Sequence, residues 1–278
     1  MTTREPAPAT TAAERWRTEL ERWAIPPEIL AAAPESPWTF PVELFASRAD
    51  QAAENPTPSA TLAAEALPAG GSVLDVGAGA GAASLPLAPR AGMLAAVDTS
   101  ETMLAAFAER AVAAGVPHTT VQGRWPDVAA EAPVADVVVC NHVFYNAPDL
   151  AAFVRGLTSH ARVRVVAELT PEHPTSDMSP LWLRFHGVVR PTAPNAGDAA
   201  DVIRETVGVE PGRRDWTAPA GGSLPRAEMV AWMRRRLCLS ADRDPEVEAA
   251  ITDRLSERDG RVHFGPRPVV TLWWPGAA

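Results

Sequence analysis

The run Val73-Leu74-Asp75-Val76-Gly77-Ala78-Gly79-Ala80-Gly81 constrains the fold more than any other stretch of the chain. Its first half reads as a buried strand, and its second half as a glycine-rich turn. Gly77 and Gly79 can take backbone angles that other residues avoid, and they let a ligand approach the main chain closely. Asp75 stands two positions before the first glycine, and a second acid, Asp98, closes the next apolar run, Met93-Leu94-Ala95-Ala96-Val97. An acid at the tip of the second strand is placed to accept hydrogen bonds from ribose hydroxyls. Together these features describe a nucleoside-binding α/β domain.

Two nucleoside ligands compete for that description. Gly77-x-Gly79-x-x-Ala82, with Asp98 about 20 residues on, satisfies the relaxed dinucleotide fingerprint. Asp75 argues against it, because a carboxylate beside the turn repels a pyrophosphate and attracts an ammonium. About 70 residues also precede the motif, whereas dinucleotide folds usually open with it. The phrase after the second run, Val97-Asp98-Thr99-Ser100-Glu101-Thr102-Met103-Leu104, resembles the "VDxSxxML" signature of class I S-adenosylmethionine-dependent methyltransferases. "VLDVGAGAG" likewise resembles their first motif, and the likeness covers about Ser72 to Leu169. It implies S-adenosyl-L-methionine as methyl donor and S-adenosyl-L-homocysteine as product. It also implies a doubly wound, mostly parallel, seven-stranded sheet that ends in an antiparallel hairpin. An NAD-dependent oxidoreductase and a catalytically silent S-adenosylmethionine-binding protein stand as the alternatives.

Composition narrows the partners. The chain has 278 residues and a net charge of −9, which argues against a broad phosphate-binding surface and so against nucleic acid. All 25 basic residues other than histidine are arginine. Two cysteines, Cys140 and Cys238, imply neither a disulfide framework nor a metal site. The N-terminus lacks the apolar core of a secretory signal, and no run approaches a membrane span. A cytoplasmic protein acting on a small molecule is the expectation, with the oligomeric state open.

The chain divides into four stretches. Residues 1–10 are Pro/Ala/Thr-rich and expected to be disordered. Residues 11–68 read as a helical extension: Trp16, Leu20 and Trp23 share a helical stripe, and Ser59 is a candidate N-cap of the last helix. Residues 69–170 alternate strand and helix and form the donor-binding core, with strands at Ser72–Val76, Met93–Val97, Thr119–Gln122, Ala135–Cys140 and Val163–Leu169. Between the first two strands Pro86 and Pro89 predict a short or kinked helix. Residues 171–278 continue the same domain, with helices expected at Ala199–Val207, Arg226–Leu239 and Pro245–Arg258 and a last strand at Val269–Trp274.

Ligands of a doubly wound sheet bind at the carboxyl ends of its strands. Asp75, Gly77, Ala78, Gly79 and Gly81 are therefore expected to cradle the methionine and ribose, with Asp98, Thr99 and Met103 beyond them. After the third strand many family members carry an acid that reads adenine. This chain has Arg124 there, with Trp125 as a stacking candidate and Asp127 three residues later. After the fourth strand, Asn141 falls beside the donor, and His142 and Tyr145 are the catalytic candidates. An imidazole suits the removal of a proton from an acceptor hydroxyl or amine. Cys140 reads as a small buried hydrophobe rather than a nucleophile. Glu168, Glu172, His173 and His186 are candidates for the acceptor side. Trp38, Phe40, Phe45 and Arg48 are candidates for a lid, and the resemblance gives Arg48 to the donor carboxylate.

Overall fold

The computed structural model describes residues 10–38, 52, 55–220 and 222–278. The lid candidates Phe40, Phe45 and Arg48, and nearly all of the expected tail, lie outside the described residues.

The core is a seven-stranded sheet in the order β3-β2-β1-β4-β5-β9-β6. Its strands are β1 (Ser72–Val76), β2 (Met93–Asp98), β3 (His118–Gln122), β4 (Ala135–Asn141), β5 (Ala161–Leu169), β6 (Gly212–Ala218) and β9 (Arg267–Pro275). The first five pair in parallel, and β9 runs antiparallel to both β5 and β6. The sheet is thus mixed, with β9 the reversed strand among its members.

Alternation along the strands sends side chains to two separate cores. Leu74, Val76, Val138 and Cys140 face one cluster, closed by α1 (Ala12–Glu21), α5 (Leu150–His160) and α7 (Ala196–Val207). Val73, Val137 and Val139 face the other, closed by α3 (Pro58–Ala66) and α4 (Glu101–Ala113). Caps fix the helix starts. Thr11 and Glu14 form a reciprocal capping box on α1, and Ser100 accepts the Met103 N–H at the start of α4. Thr57, not Ser59, caps α3; Ser59 is turned inward and buried.

Three sequence expectations change. Residues 78–91 hold turns and a single 3₁₀ turn at Leu85–Leu87 instead of a helix, because Pro86 and Pro89 remove donors where a helix needs them. The expected helix Pro245–Arg258 stops early: α9 spans Asp244–Ile251, and Leu255–Arg258 becomes β7. β7 pairs with β8 (Arg261–Phe264) through Asp259-Gly260, both at positive φ (54° and 71°). That dipeptide is a strong two-residue hairpin signal. The third change is at α7, which begins at Ala196 because Asn195 and Asp198 cap it reciprocally.

A smaller helical layer has its own core. It joins α2 (Pro27–Ala32), α6 (Ser179–His186), α8 (Arg226–Arg236) and α9 around Leu181, Trp182, Met233, Leu237 and Ile251. The segments that hold α6, α8 and α9 leave or re-enter the sheet after β5, after β6 and before β9. All three points lie on the edge where the parallel strands end.

Candidate active site

The glycine turn is built from backbone. Gly77 and Gly79 sit at φ +73° and +51°, in the left-handed region that favours glycine. A Cβ on Gly79 would meet nothing within 4 Å, so its outer face borders open space. A Cβ on Gly77 would fall 2.3 Å from Val143, so the segment after β4 rests directly on the turn. Asp98 locks the turn to β2: one carboxylate oxygen accepts the Gly79 N–H at 2.8 Å and the other the Ser100 N–H at 2.9 Å. Thr99 and Arg124 are exposed and Met103 is half-buried around the same strand tips.

Asp75 is buried beneath this turn. One oxygen accepts the Ser84 hydroxyl at 2.6 Å, and the other has no hydrogen-bond partner. Burial raises its pKa to about 7, and the neighbouring Asp98 charge adds to the effect.

A second group of side chains gathers where β4 and β5 end and β9 begins. His142 follows β4 at φ +61°, an uncommon conformation for a residue with a side chain. Its N–H donates to the Glu168 carbonyl at 2.6 Å, and its Nε2 lies 3.0 Å from Glu168 Oε1. Behind Glu168 runs a chain of donors. Trp216 Nε1 donates to Thr271 Oγ1 at 3.0 Å, Thr271 and Ser59 hydroxyls lie 2.7 Å apart, and Ser59 donates to Glu168 Oε2 at 2.6 Å. Each hydroxyl has one proton, so the chain has one polarity, with every donor pointing towards Glu168. Burial opposes a charge on Glu168, yet the His142 and Ser59 bonds and the charge of Arg267 hold its carboxyl below the usual range. Glu168 Oε1 and the Arg267 guanidinium both meet His142 at Nε2, each at 3.0 Å.

The other expected residues scatter. Tyr145 is buried; its hydroxyl donates to the Thr170 carbonyl at 2.9 Å and its ring stacks on Trp16, 5.4 Å between centroids. Burial pushes its phenol well up, so packing replaces the expected catalysis. Trp125 is buried too, its indole donating to Phe153 and its ring against Gly156, which takes it away from any adenine face. Cys140 is buried and its thiol pushed far up by desolvation, with no nucleophile's environment. His173 stacks on Trp23 at 3.9 Å, and burial, with Arg190 and Arg236 nearby, lowers its pKa to about 3. His186 binds the Leu237 carbonyl at 2.7 Å. Glu172, Asp127 and Trp38 are exposed, and Asn141 ends β4 opposite Glu168.

Sequence reasoning missed Ser59, Ser84, Thr271 and Arg267. Ser59, Thr271 and Arg267 meet partners 109, 212 and 125 positions away, while Ser84 meets Asp75 only 9 away.

Residues 73–163 match the family model described as a methyltransferase domain. That stretch of the chain is a methyltransferase domain. Two solved structures share its fold. One, from Bacillus halodurans C-125 and assigned as a methyltransferase, has 17% identity and a TM-score of 0.53, covering 80% of this chain and 99% of its own. The other, from Galdieria sulphuraria and assigned as a sarcosine dimethylglycine methyltransferase, has 15% identity and a TM-score of 0.50, covering 83% and 86%. No curated protein matches the chain in sequence.

The methyl donor of this domain is S-adenosylmethionine, and the residues fit it. The unpartnered oxygen of Asp75 suits a nearby ammonium. The open face of Gly79 leaves room for a ligand against the backbone, and Asp98 keeps lone pairs for ribose hydroxyls. Among the described residues no cluster could hold a metal, and no helix is long and apolar enough to cross a membrane.

Proposed function

We propose that this enzyme methylates a small-molecule acceptor held over the carboxyl ends of β4 and β5, with His142 as the proton acceptor. The observation that carries the reading is the His142–Glu168 pair at 3.0 Å, reached through Val143 from the turn that cradles the donor. Asp75 faces the methionine ammonium, residues Gly77 to Gly81 line the methionine and ribose, and Asp98 binds the ribose hydroxyls. Thr99, Met103, Arg124 and Asn141 border the nucleoside, and Arg48 is the proposed partner of the donor carboxylate.

When bound, the donor supplies an activated methyl on a sulfonium. The protein's part is then alignment, which contributes roughly 7–11 kcal/mol to such reactions. Glu168 fixes the imidazole at Nε2, and the ring takes the acceptor's proton as the methyl moves. The layer of α2, α6, α8 and α9 covers this edge and excludes water, together with the N-terminal helices. Two free, buried cysteines suit a reducing compartment.

The test is a pair of variants assayed by S-adenosylhomocysteine release. With an acceptor found by metabolite screening, His142→Ala should lower kcat by roughly 10²–10⁴-fold while donor affinity stays within about twofold. Glu168→Gln should lower kcat less and shift the pH–rate profile. A modest loss with an unchanged profile would leave His142 as a wall of the pocket. Donor binding without turnover on any acceptor would favour a silent binding protein.

A further inference from the structure

We infer that Arg267 is the receptor for a carboxylate on the acceptor, so that the substrate is an organic acid bound close to His142. This rests on the proposed acceptor side at β4 and β5. Arg267 opens β9, beyond the point where Leu169 of β5 pairs with Val270. It therefore stands on the carboxyl edge, three strands from β1 in the sheet order, about 14 Å at the ordinary strand spacing. Its guanidinium NH2 lies 3.0 Å from His142 Nε2, its one hydrogen-bond neighbour among the described residues.

The Arg267 and Glu168 contacts share one ring nitrogen, so each tautomer of His142 serves only one of them. Nε2 either accepts from Arg267 or donates to Glu168, and the donor chain through Ser59 and Thr271 keeps Glu168 ionised. Apart from that contact, the half-buried guanidinium has no hydrogen-bond partner among the described residues. Among the described residues, Glu168 and Asp177 act on it through their charges alone. Desolvation outweighs them and lowers the pKa of Arg267. Asp177 is already bound by Arg254 at 2.8 Å. In a chain of net charge −9, a cation left this way is unusual. A guanidinium presents parallel N–H groups in a planar fork, which matches a carboxylate bidentately and a neutral amide poorly. The same bond would seat the acceptor within reach of the imidazole and fix which of its groups faces the methyl.

The experiment uses the full chain saturated with S-adenosylhomocysteine. Histidine ring signals are followed by NMR, with His142 assigned from the His142→Asn spectrum. Acetate and benzoate are titrated, each against its neutral amide. The expected result is a saturable shift of the His142 signal with a carboxylate and none with the amides. In Arg267→Gln the affinity should fall about tenfold or more, and Arg267→Lys should recover part of it. Equal responses to acid and amide, no saturable response to either acid, or an unchanged response in Arg267→Gln would overturn the assignment. A tenfold loss of S-adenosylhomocysteine affinity in folded Arg267→Gln would also overturn it, by putting Arg267 on the donor. Failure of the wild-type protein to bind S-adenosylhomocysteine would instead break the donor-site reading beneath it.

Discussion

The proposed donor half and the proposed acceptor half of this site are built in different ways. The heart of the donor half is mostly main chain and local: a glycine turn with its N–H groups, and Asp98, whose carboxylate pins it. The acceptor half is all side chain, drawn from Ser59, His142, Glu168, Trp216, Arg267 and Thr271. A local, backbone-built cradle recognises one constant ligand. A set gathered from distant strands can change one member at a time, which is how acceptor choice can vary over a fixed fold. The comparison predicts that damage to one half leaves the other working.

The largest expected effect tests the buried charge of the donor half. The pKa of Asp75 is raised in the fold, so the folded state holds its proton longer than the unfolded chain. The fold therefore loses stability as pH climbs from the ordinary carboxylate range, about 4, to about 7, and the full loss of about 4 kcal/mol is present above that. Asp75→Asn should remove this loss, so its advantage in thermal unfolding grows across that window and then levels. Donor binding should release a proton from wild-type Asp75 below pH 7, measurable by titration calorimetry in two buffers. Equal proton release by Asp75→Asn would detach the carboxylate from the ammonium.

The next effect is local to the turn. Gly79→Val puts a branched side chain into the open face at φ +51°, and donor affinity should fall about a hundredfold or more. Thermal unfolding checks that the variant is folded, because this backbone strains a β-branched residue by roughly 1–2 kcal/mol. Retained affinity would make the turn a structural element only.

The smallest effect guards the border between the halves. Tyr145→Phe removes one hydrogen bond to Thr170 and should cost about 1 kcal/mol of stability with kcat nearly unchanged. A large drop in kcat would return Tyr145 to catalysis.

The same contrast explains what the sequence disclosed. The five strands of the core and the glycine turn were legible because each is a short pattern with one geometric outcome. His142 was legible by its place after β4. Its partners were not, because Glu168 meets it only through sheet register, and Ser59 looked like a helix cap. Tyr145 and Trp125 misled for the opposite reason: both stand at strand ends, but large rings follow the core when a hydrogen-bond partner is at hand. The β7–β8 hairpin carried a readable Asp-Gly signal that a helical pattern masked.

The most direct measurement is calorimetric titration of S-adenosylhomocysteine into wild type, Asp98→Ala and His142→Ala under one set of conditions. Wild type should bind one equivalent. Asp98→Ala should lose roughly 1.5–3 kcal/mol of affinity with the ribose acceptor gone, and His142→Ala should match wild type. Equal affinity in wild type and folded Asp98→Ala, or an equal loss in both variants, would contradict a donor cradle at the glycine turn with separate acceptor chemistry at His142.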